Sequence, residues 1–330
     1  MLELDRIYNM DCLEGLKQIE DKSIDAVITD FPYNIHKDSW DNNPNYLKWF
    51  ISVTKECERV LKGNGTFWFF HISFGTLALL HSRIIIETNF RHKQLIIIAK
   101  GKQSIAGRVS EDLRSFPRET EYLQFYTFDD PTGAMQLSEE YARVNPMAKY
   151  LRGEFKRANV TNRELAKLFP SKTGGMTGCV SNWILGYNFP TKEQYLKMRK
   201  FLNNEYLRKE YEYLRKEYED LRYYFNLQMG YTDVWNINFY KDKNNGHSTQ
   251  KPISLMMHII KTATDENKII LDPFMGSGTT AVACKKLNRR FIGFEISPEY
   301  CEIANKRLMN VPQRLDLFID GLKGGDVLST

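Results

Sequence analysis

Lys268-Ile269-Ile270-Leu271-Asp272-Pro273-Phe274-Met275-Gly276-Ser277-Gly278-Thr279-Thr280 is a short apolar run that stops at an acid and passes through two glycines. Residues 268–271 predict a buried strand, and 279–287 predict a helix. Glycines let a backbone approach a ligand closely, and the N–H groups of a helix start favour a negative group. A second strand, 290–294, ends at Glu295, where a carboxylate is placed to accept from both hydroxyls of a ribose. Ala281 stands where a dinucleotide fingerprint has its third glycine, so the turn by itself is a weak signal.

Outward from this stretch the same alternation continues. Helices are expected at 252–262 and 298–308. In the first 130 residues, strands are expected at 25–30, 66–70, 95–99 and 121–128. A helix over 46–61 is closed by Gly63-Asn64-Gly65, and another runs through Leu80. Ile84-Ile85-Ile86 reads as a short strand-like run, and the polar segment 101–118 as a mobile loop. The alternation implies an α/β fold, a Rossmann-like, mostly parallel sheet with helices on both faces. Residues 131–230 are helical and polar, an insertion between two halves of one domain, 1–130 and 231–330.

At 330 residues with 42 % hydrophobic content, the chain can bury a normal core. Its apolar runs fall short of the roughly 20 residues of a membrane helix, and its start lacks a signal-peptide pattern. Five cysteines without a Cys-x-x-Cys pair argue against a disulfide framework and a metal site, and point to a reducing cytoplasm. Residues 151–230 hold 15 Lys and Arg against 9 Asp and Glu, more than the whole chain's net +5. Such a segment suits a polyanionic partner or a solvated helical face, and charge alone leaves both open.

Asp30-Phe31-Pro32-Tyr33 follows the strand at 25–30, at the edge where open α/β sheets bind ligands. Pro32 holds Phe31 extended, so the Asp30 carboxylate and the Phe31 carbonyl can point outward as two adjacent acceptors. Tyr33 adds an aromatic face. An amino group on a planar base, with two donors and a stackable ring, matches that set. Such a nitrogen is a poor nucleophile because its lone pair is delocalised, and accepting both N–H bonds frees electron density on it. Seen alone, the four residues read first as an ordinary Asp-x-Pro turn.

Together the two motifs resemble those of the DNA amino-methyltransferases, whose motif is Asp-Pro-Pro-Tyr where this chain has Asp30-Phe31-Pro32-Tyr33. Asp272, Phe274, Gly276, Gly278 and Thr279 match the cofactor motif, and the order of the motifs is similar to that of the circularly permuted beta group. His247-Ser248-Thr249-Gln250-Lys251-Pro252 is similar to the cofactor-lid motif, which marks His247, Ser248 and Lys251. Phe291-Ile292-Gly293-Phe294-Glu295 resembles the ribose-binding strand, and Asn9-Met10-Asp11-Cys12 the segment whose acid, Asp11, reads the cofactor's adenine. The resemblance covers roughly residues 5–130 and 231–308. It implies S-adenosylmethionine as cofactor and methyl transfer to a base flipped out of double-stranded DNA. Asp at the first motif position favours adenine N6 over cytosine N4. A cognate restriction endonuclease is the implied partner. Phe31 departs from the family's first proline, but Pro32 still restrains the backbone, so activity is expected to survive.

Within the insertion, Thr161-Asn162-Arg163-Glu164 predicts a capping box opening a helix. A glycine-bearing break and a second helix with Val180 and Trp183 make 159–203 resemble a phage-repressor helix-turn-helix. Thr177, Ser181 and Asn182 would then face bases, and Arg163 and Lys172 phosphates; a small packing subdomain is the alternative. Glu205-Tyr206-Leu207-Arg208-Lys209-Glu210-Tyr211 recurs at 212–218 and decays at 219–225, giving an a/d seam through Leu207, Tyr211, Leu214, Tyr218, Leu221 and Phe225. That seam predicts a helical strut, or a homodimer contact. Competing functions are a DNA-binding protein with lost activity and a methyltransferase acting on protein glutamine or RNA.

Overall fold

The structure, a computed structural model, describes residues 2–34, 43–100, 119–128, 145–171, 173–219, 223–228, 230–237 and 250–311. The loop expected at 101–118, His247, Ser248, Lys172 and Leu221 lie outside the described residues. The chain divides into two compact units, Met1–Phe128 with Tyr224–Thr330, and Asp129–Tyr223.

The first unit is built on an eight-stranded sheet of β1 (Arg6–Asn9), β2 (Ile24–Thr29), β3 (Leu61–His71), β4 (Arg91–Ala99), β5 (Thr120–Thr127), β6 (Val234–Asn236), β7 (Ile269–Asp272) and β8 (Arg290–Glu295). Their spatial order is β1-β8-β7-β2-β3-β5-β4-β6, and only β5 runs against the others. The expected α/β fold with a mostly parallel sheet is the fold observed. Three helices, α1 (Cys12–Leu16), α2 (Tyr46–Val60) and α3 (Phe74–Glu87), share one core with Val27, Phe67, Phe69, Leu271, Ile292 and Phe294. Because strand side chains alternate, their buried neighbours Ala26, Ile28, Trp68, Phe70, Ile270 and Phe291 point to the other side.

Two local expectations fail. Gly63-Asn64-Gly65 does not close a helix but lies inside β3, which starts at Leu61 directly after α2. Ile24 pairs with Leu61 and Ala26 with Thr66, so the glycines sit in a bulge. A Cβ on Gly65 would lie 2.8 Å from Leu61 Cδ2 and 2.9 Å from the Lys62 carbonyl. Ile84-Ile85-Ile86 is not strand-like but belongs to α3, where Ile84 is buried and Ile85 and Ile86 are exposed. The helix is capped by the Ser73 hydroxyl, which sets its register before the isoleucines arrive.

The second unit is helical: α4 (Pro146–Arg157), α5 (Asn162–Ala166), α6 (Cys179–Ile184), α7 (Lys192–Phe201) and α8 (Tyr211–Glu219). Leu151, Leu165, Trp183, Tyr195, Leu207 and Leu214 meet in its core. Capping boxes form at Thr161 with Glu164 and at Thr191 with Gln194. The first heptad copy is not helical: Leu207 has φ +54°, and only the second copy forms α8. The first unit is completed by α9 (Ile253–Ala263), α10 (Thr279–Lys286) and α11 (Pro298–Met309), with α9 against β2 and α10 against β8.

Candidate active site

Parallel pairing of β2 with β7 sets Ala26 beside Ile270 and Val27 beside Leu271, so both strands release their motifs at one sheet edge. The Thr29 hydroxyl donates to Asp272 Oδ1 at 2.7 Å, tying the ends together. Asp272 also accepts from the Thr280 hydroxyl at 2.5 Å and from the Phe274 N–H at 3.1 Å. Burial pushes its carboxyl up to about 6, against those hydrogen bonds. Both oxygens are thus engaged, and Asp272 ties the glycine turn to the end of β2 and the start of α10.

Gly276 and Gly278 take φ +52° and +82°, conformations that side chains rarely adopt. A Cβ on Gly278 would lie 2.7 Å from the Ala304 Cβ. Arg307 Nη1 donates to the Ser277 hydroxyl at 2.8 Å and to Thr279 Oγ1 at 3.3 Å, fastening the start of α10. At the end of β8, Glu295 accepts from the N–H groups of Gly276 and Ser297, both at 2.8 Å. Burial raises its carboxyl as well. Asp11 caps α1, its Oδ1 accepting from Leu13 N at 2.8 Å.

Asp11, Asp272, Gly276, Thr279 and Glu295 line one cavity of about 460 Å³, together with Asp30, Tyr33, Phe274 and Lys251. Phe31 contributes little polar surface to it: 1 % exposed, its ring packs against Phe50 at 4.4 Å, Phe274 at 4.9 Å and Phe69 at 5.7 Å. The Tyr46 hydroxyl donates to the Pro32 carbonyl at 2.8 Å and steadies the turn. Asp30 already holds two donors, the Tyr33 hydroxyl at Oδ1 and Lys251 Nζ at Oδ2, the latter at 2.6 Å. Burial first, and then the Asp30 charge, push the Tyr33 phenol well above its ordinary range.

Lys251 therefore touches the Asp30 carboxylate, and its partners are those of the turn. Its ammonium also meets Tyr33 Oη at 3.0 Å and Glu121 Oε2 at 3.3 Å, while Lys100 Nζ lies 3.2 Å from Glu121 Oε1. Glu121 and Lys100 were not singled out by motif. A signal existed: Glu121 alternates with Leu123 and Phe125 on β5, so it is an acid at a position the pattern turns inward.

In the second unit, Thr177 is not free to face a base: its hydroxyl donates to the Phe169 carbonyl at 2.8 Å and lies 3.1 Å from Cys179 Sγ. Ser181 and Asn182 are half-buried and Arg163 is exposed. Between α5 and α6 the chain makes a hairpin-like turn in which Pro170 bridges Met176, longer than the three or four residues of a helix-turn-helix. Among the described residues no cluster of His, Cys, Asp and Glu could hold a metal ion, and no helix is long and apolar enough to cross a membrane.

The chain is 28 % identical over 322 residues to the Type II methyltransferase M.BglII of Bacillus subtilis, covering 96 % of this chain and 72 % of the relative. It is 25 % identical to the Type II methyltransferase M1.MboII of Moraxella bovis, over 92 % and 96 % of the two chains. Its fold resembles that of the cytosine-N4-specific PvuII DNA methyltransferase, with a TM-score of 0.56 at 15 % identity over 95 % and 89 % of the chains. Residues 24–306 match the family of N6 and N4 DNA methylases, and the chain belongs to that family.

Proposed function

We propose that the chain is a site-specific DNA methyltransferase that moves a methyl group from S-adenosylmethionine to adenine N6 of a flipped base in duplex DNA. One observation carries the reading: the Asp30 turn and the glycine turn open into a single cavity, as a methyl acceptor and its donor would require. At about 460 Å³ the cavity lies in the range of small-molecule sites. Its donor set suits the cofactor: a buried carboxylate, Glu295, for a diol, Asp11 for an adenine, and the left-handed Gly276 for close backbone approach. Phe274, Gly276, Gly278, Thr279, Glu295 and Asp11 would hold it, with Asp272 acting through the turn. S-adenosylmethionine supplies an electrophilic methyl on a sulfonium.

The chain's own residues do the rest by positioning. Asp30 and the Phe31 carbonyl accept from the amino group, which localises electron density on nitrogen. A carboxylate has about four lone-pair sites, so Asp30 can accept a further N–H beside Tyr33 and Lys251. Tyr33 offers its ring at the cavity wall. The helical unit reads the duplex through Arg163, Ser181 and Asn182. The order of motifs belongs to the permuted beta group, and the setting is Type II modification in the cytoplasm, with a restriction endonuclease as partner.

Transfer of tritiated methyl to duplex DNA, followed by mass spectrometry of the nucleosides, tests this. The expected product is N6-methyladenine, and Asp30→Ala abolishes it while cofactor binding persists. N4-methylcytosine would correct the base, preference for RNA the substrate, and methylation that survives Asp30→Ala would refute the catalytic assignment.

A further inference from the structure

Lys251 is 7 % exposed, yet it is an ammonium with three oxygens around it: Asp30 Oδ2, Tyr33 Oη and Glu121 Oε2 at 2.6, 3.0 and 3.3 Å. The rings of Phe70 and Tyr33 cover it at 5.0 and 5.5 Å. Glu121 is buried as well, and its second oxygen faces Lys100 at 3.2 Å. Two acids and two ammonium groups thus alternate from the Asp30 turn to the end of β4. Burial opposes every one of these charges. Lys251 nevertheless stays above its ordinary range because Asp30 and Glu121 outweigh its desolvation. Glu121 is likewise held low, Lys251 and Lys100 outweighing its burial. A buried ion pair is weak ground for stability, since apolar side chains of similar volume do as well or better. A role in the reaction accounts for it more directly.

Pro252 follows Lys251 and caps α9, so the lysine is fixed in an extended segment beside the Asp30 turn. We propose that Lys251 is a positioning residue for the catalytic carboxylate: anchored by Glu121, it holds Asp30 in one rotamer, ready for the target amino group. This deepens the methyl-transfer reading and rests on it. The Asp30 carboxylate is then faced by Tyr33 on its own turn, Lys251 ahead of α9, and Asp272 at the end of β7. Glu121 on β5 reaches it through Lys251, and Lys100 stands behind Glu121. His71 and Tyr46 bear on Tyr33. Of these, only Lys251 places a positive charge on Asp30 itself.

Lys251→Met, Lys251→Arg and Glu121→Gln separate this from a cofactor-lid role. The readouts are kcat and KM for DNA, the Kd of S-adenosylhomocysteine without DNA, and the melting temperature. Lys251→Met should lower kcat roughly 100-fold, as expected for a reacting group left misplaced. KM and the Kd should be unchanged, Lys251→Arg should recover part of the loss in kcat, and Glu121→Gln should lower kcat by less. A Kd that weakens in step with kcat overturns the proposal. Should Lys251→Met fail to fold, Glu121→Gln decides, since an unchanged kcat there overturns it too. A wild-type chain that transfers no methyl refutes the methyl-transfer reading; an active wild type with an unchanged kcat in both variants refutes this inference alone.

Discussion

Replacing Phe31 by proline would restore the two consecutive prolines of the amino-methyltransferase motif, and the structure predicts that it harms the protein. The Phe31 side chain is buried among Trp49, Phe50, Phe67, Phe69 and Phe274, with ring centroids 4.4 to 6.3 Å away. Truncating a buried phenylalanine to alanine costs about 3–5 kcal/mol. A pyrrolidine ring keeps part of the volume, and proline lowers unfolded-chain entropy by about 0.4–1 kcal/mol. The expected net loss is about 2–4 kcal/mol, most of it from the empty space beside Phe50 and Phe274. In a domain of this size each kcal/mol moves Tm by about 2–4 °C, so Phe31→Pro should melt roughly 4–16 °C lower. Circular dichroism melts with Phe31→Leu as the milder control read this directly. On the proposed mechanism, where the residue-31 carbonyl and not the ring is the acceptor, methylation below the lowered melting point should stay close to the wild-type rate. A variant that melts with the wild type refutes the packing argument. One that is stable but inactive shows instead that the ring shapes the base pocket.

Three further outcomes follow from the same contacts. Asp272 rises to about 6 by burial, so its proton is held more tightly in the folded chain: its contribution is full below the unfolded value and lost as pH climbs through 6. Asp272→Asn keeps the Thr29 and Phe274 bonds at its oxygen and reverses the Thr280 bond, its amide donating to that hydroxyl, so relative to wild type it should gain up to about 3 kcal/mol between pH 4 and 7; parallel urea midpoints would dismiss the shift. Gly278→Ala forces a Cβ into φ +82° and against Ala304, which should cost about 1–3 kcal/mol in strain and weaken S-adenosylhomocysteine binding. Unchanged calorimetry would show a turn that relaxes. Leu214→Ala should cost about 2–5 kcal/mol through its buried contacts and leave the mass by light scattering unaltered. A change in mass would put the heptad seam between chains.

How legible the site was depended on whether a residue's role is local. Motif alone singled out Asp30, Gly276 and Gly278, and the spacing of two successive strands singled out Glu295, which meets Gly276 N across 19 positions. The meeting of the two turns was legible too, because parallel strands must share one C-terminal edge. Lys251 and Glu121 were not legible as partners. They lie on different elements, and an ion pair of this kind leaves no period in the chain. For Asp272 the motif suggests a ligand contact, and the structure adds what the motif does not show, bonds from the hydroxyls of Thr29 and Thr280. The bulge imitates a helix stop because each uses glycine for its own reason, Gly65 for close approach to Leu61 and Lys62, a helix stop for a left-handed φ.

The heptad repeat marks the limit of local reading. Residues 205–211 and 212–218 are identical, so propensity and seam are identical, yet only the second copy is a helix. Tertiary hydrogen bonds separate them. Glu154 Oε2 accepts from Leu207 N at 2.8 Å, the Tyr195 hydroxyl donates to the Lys209 carbonyl at 2.8 Å, and Lys209 N donates to the Tyr150 hydroxyl at 3.0 Å. These bonds claim backbone groups that a helix would need for its own ladder. Leu207 reaches the same core as Leu214, but from a left-handed turn. A left-handed leucine costs about 1–2 kcal/mol, less than the buried contacts and hydrogen bonds that the turn secures. What the repeat encodes, then, is two leucines for one core, and α4 and α7 decide the backbone that delivers each of them.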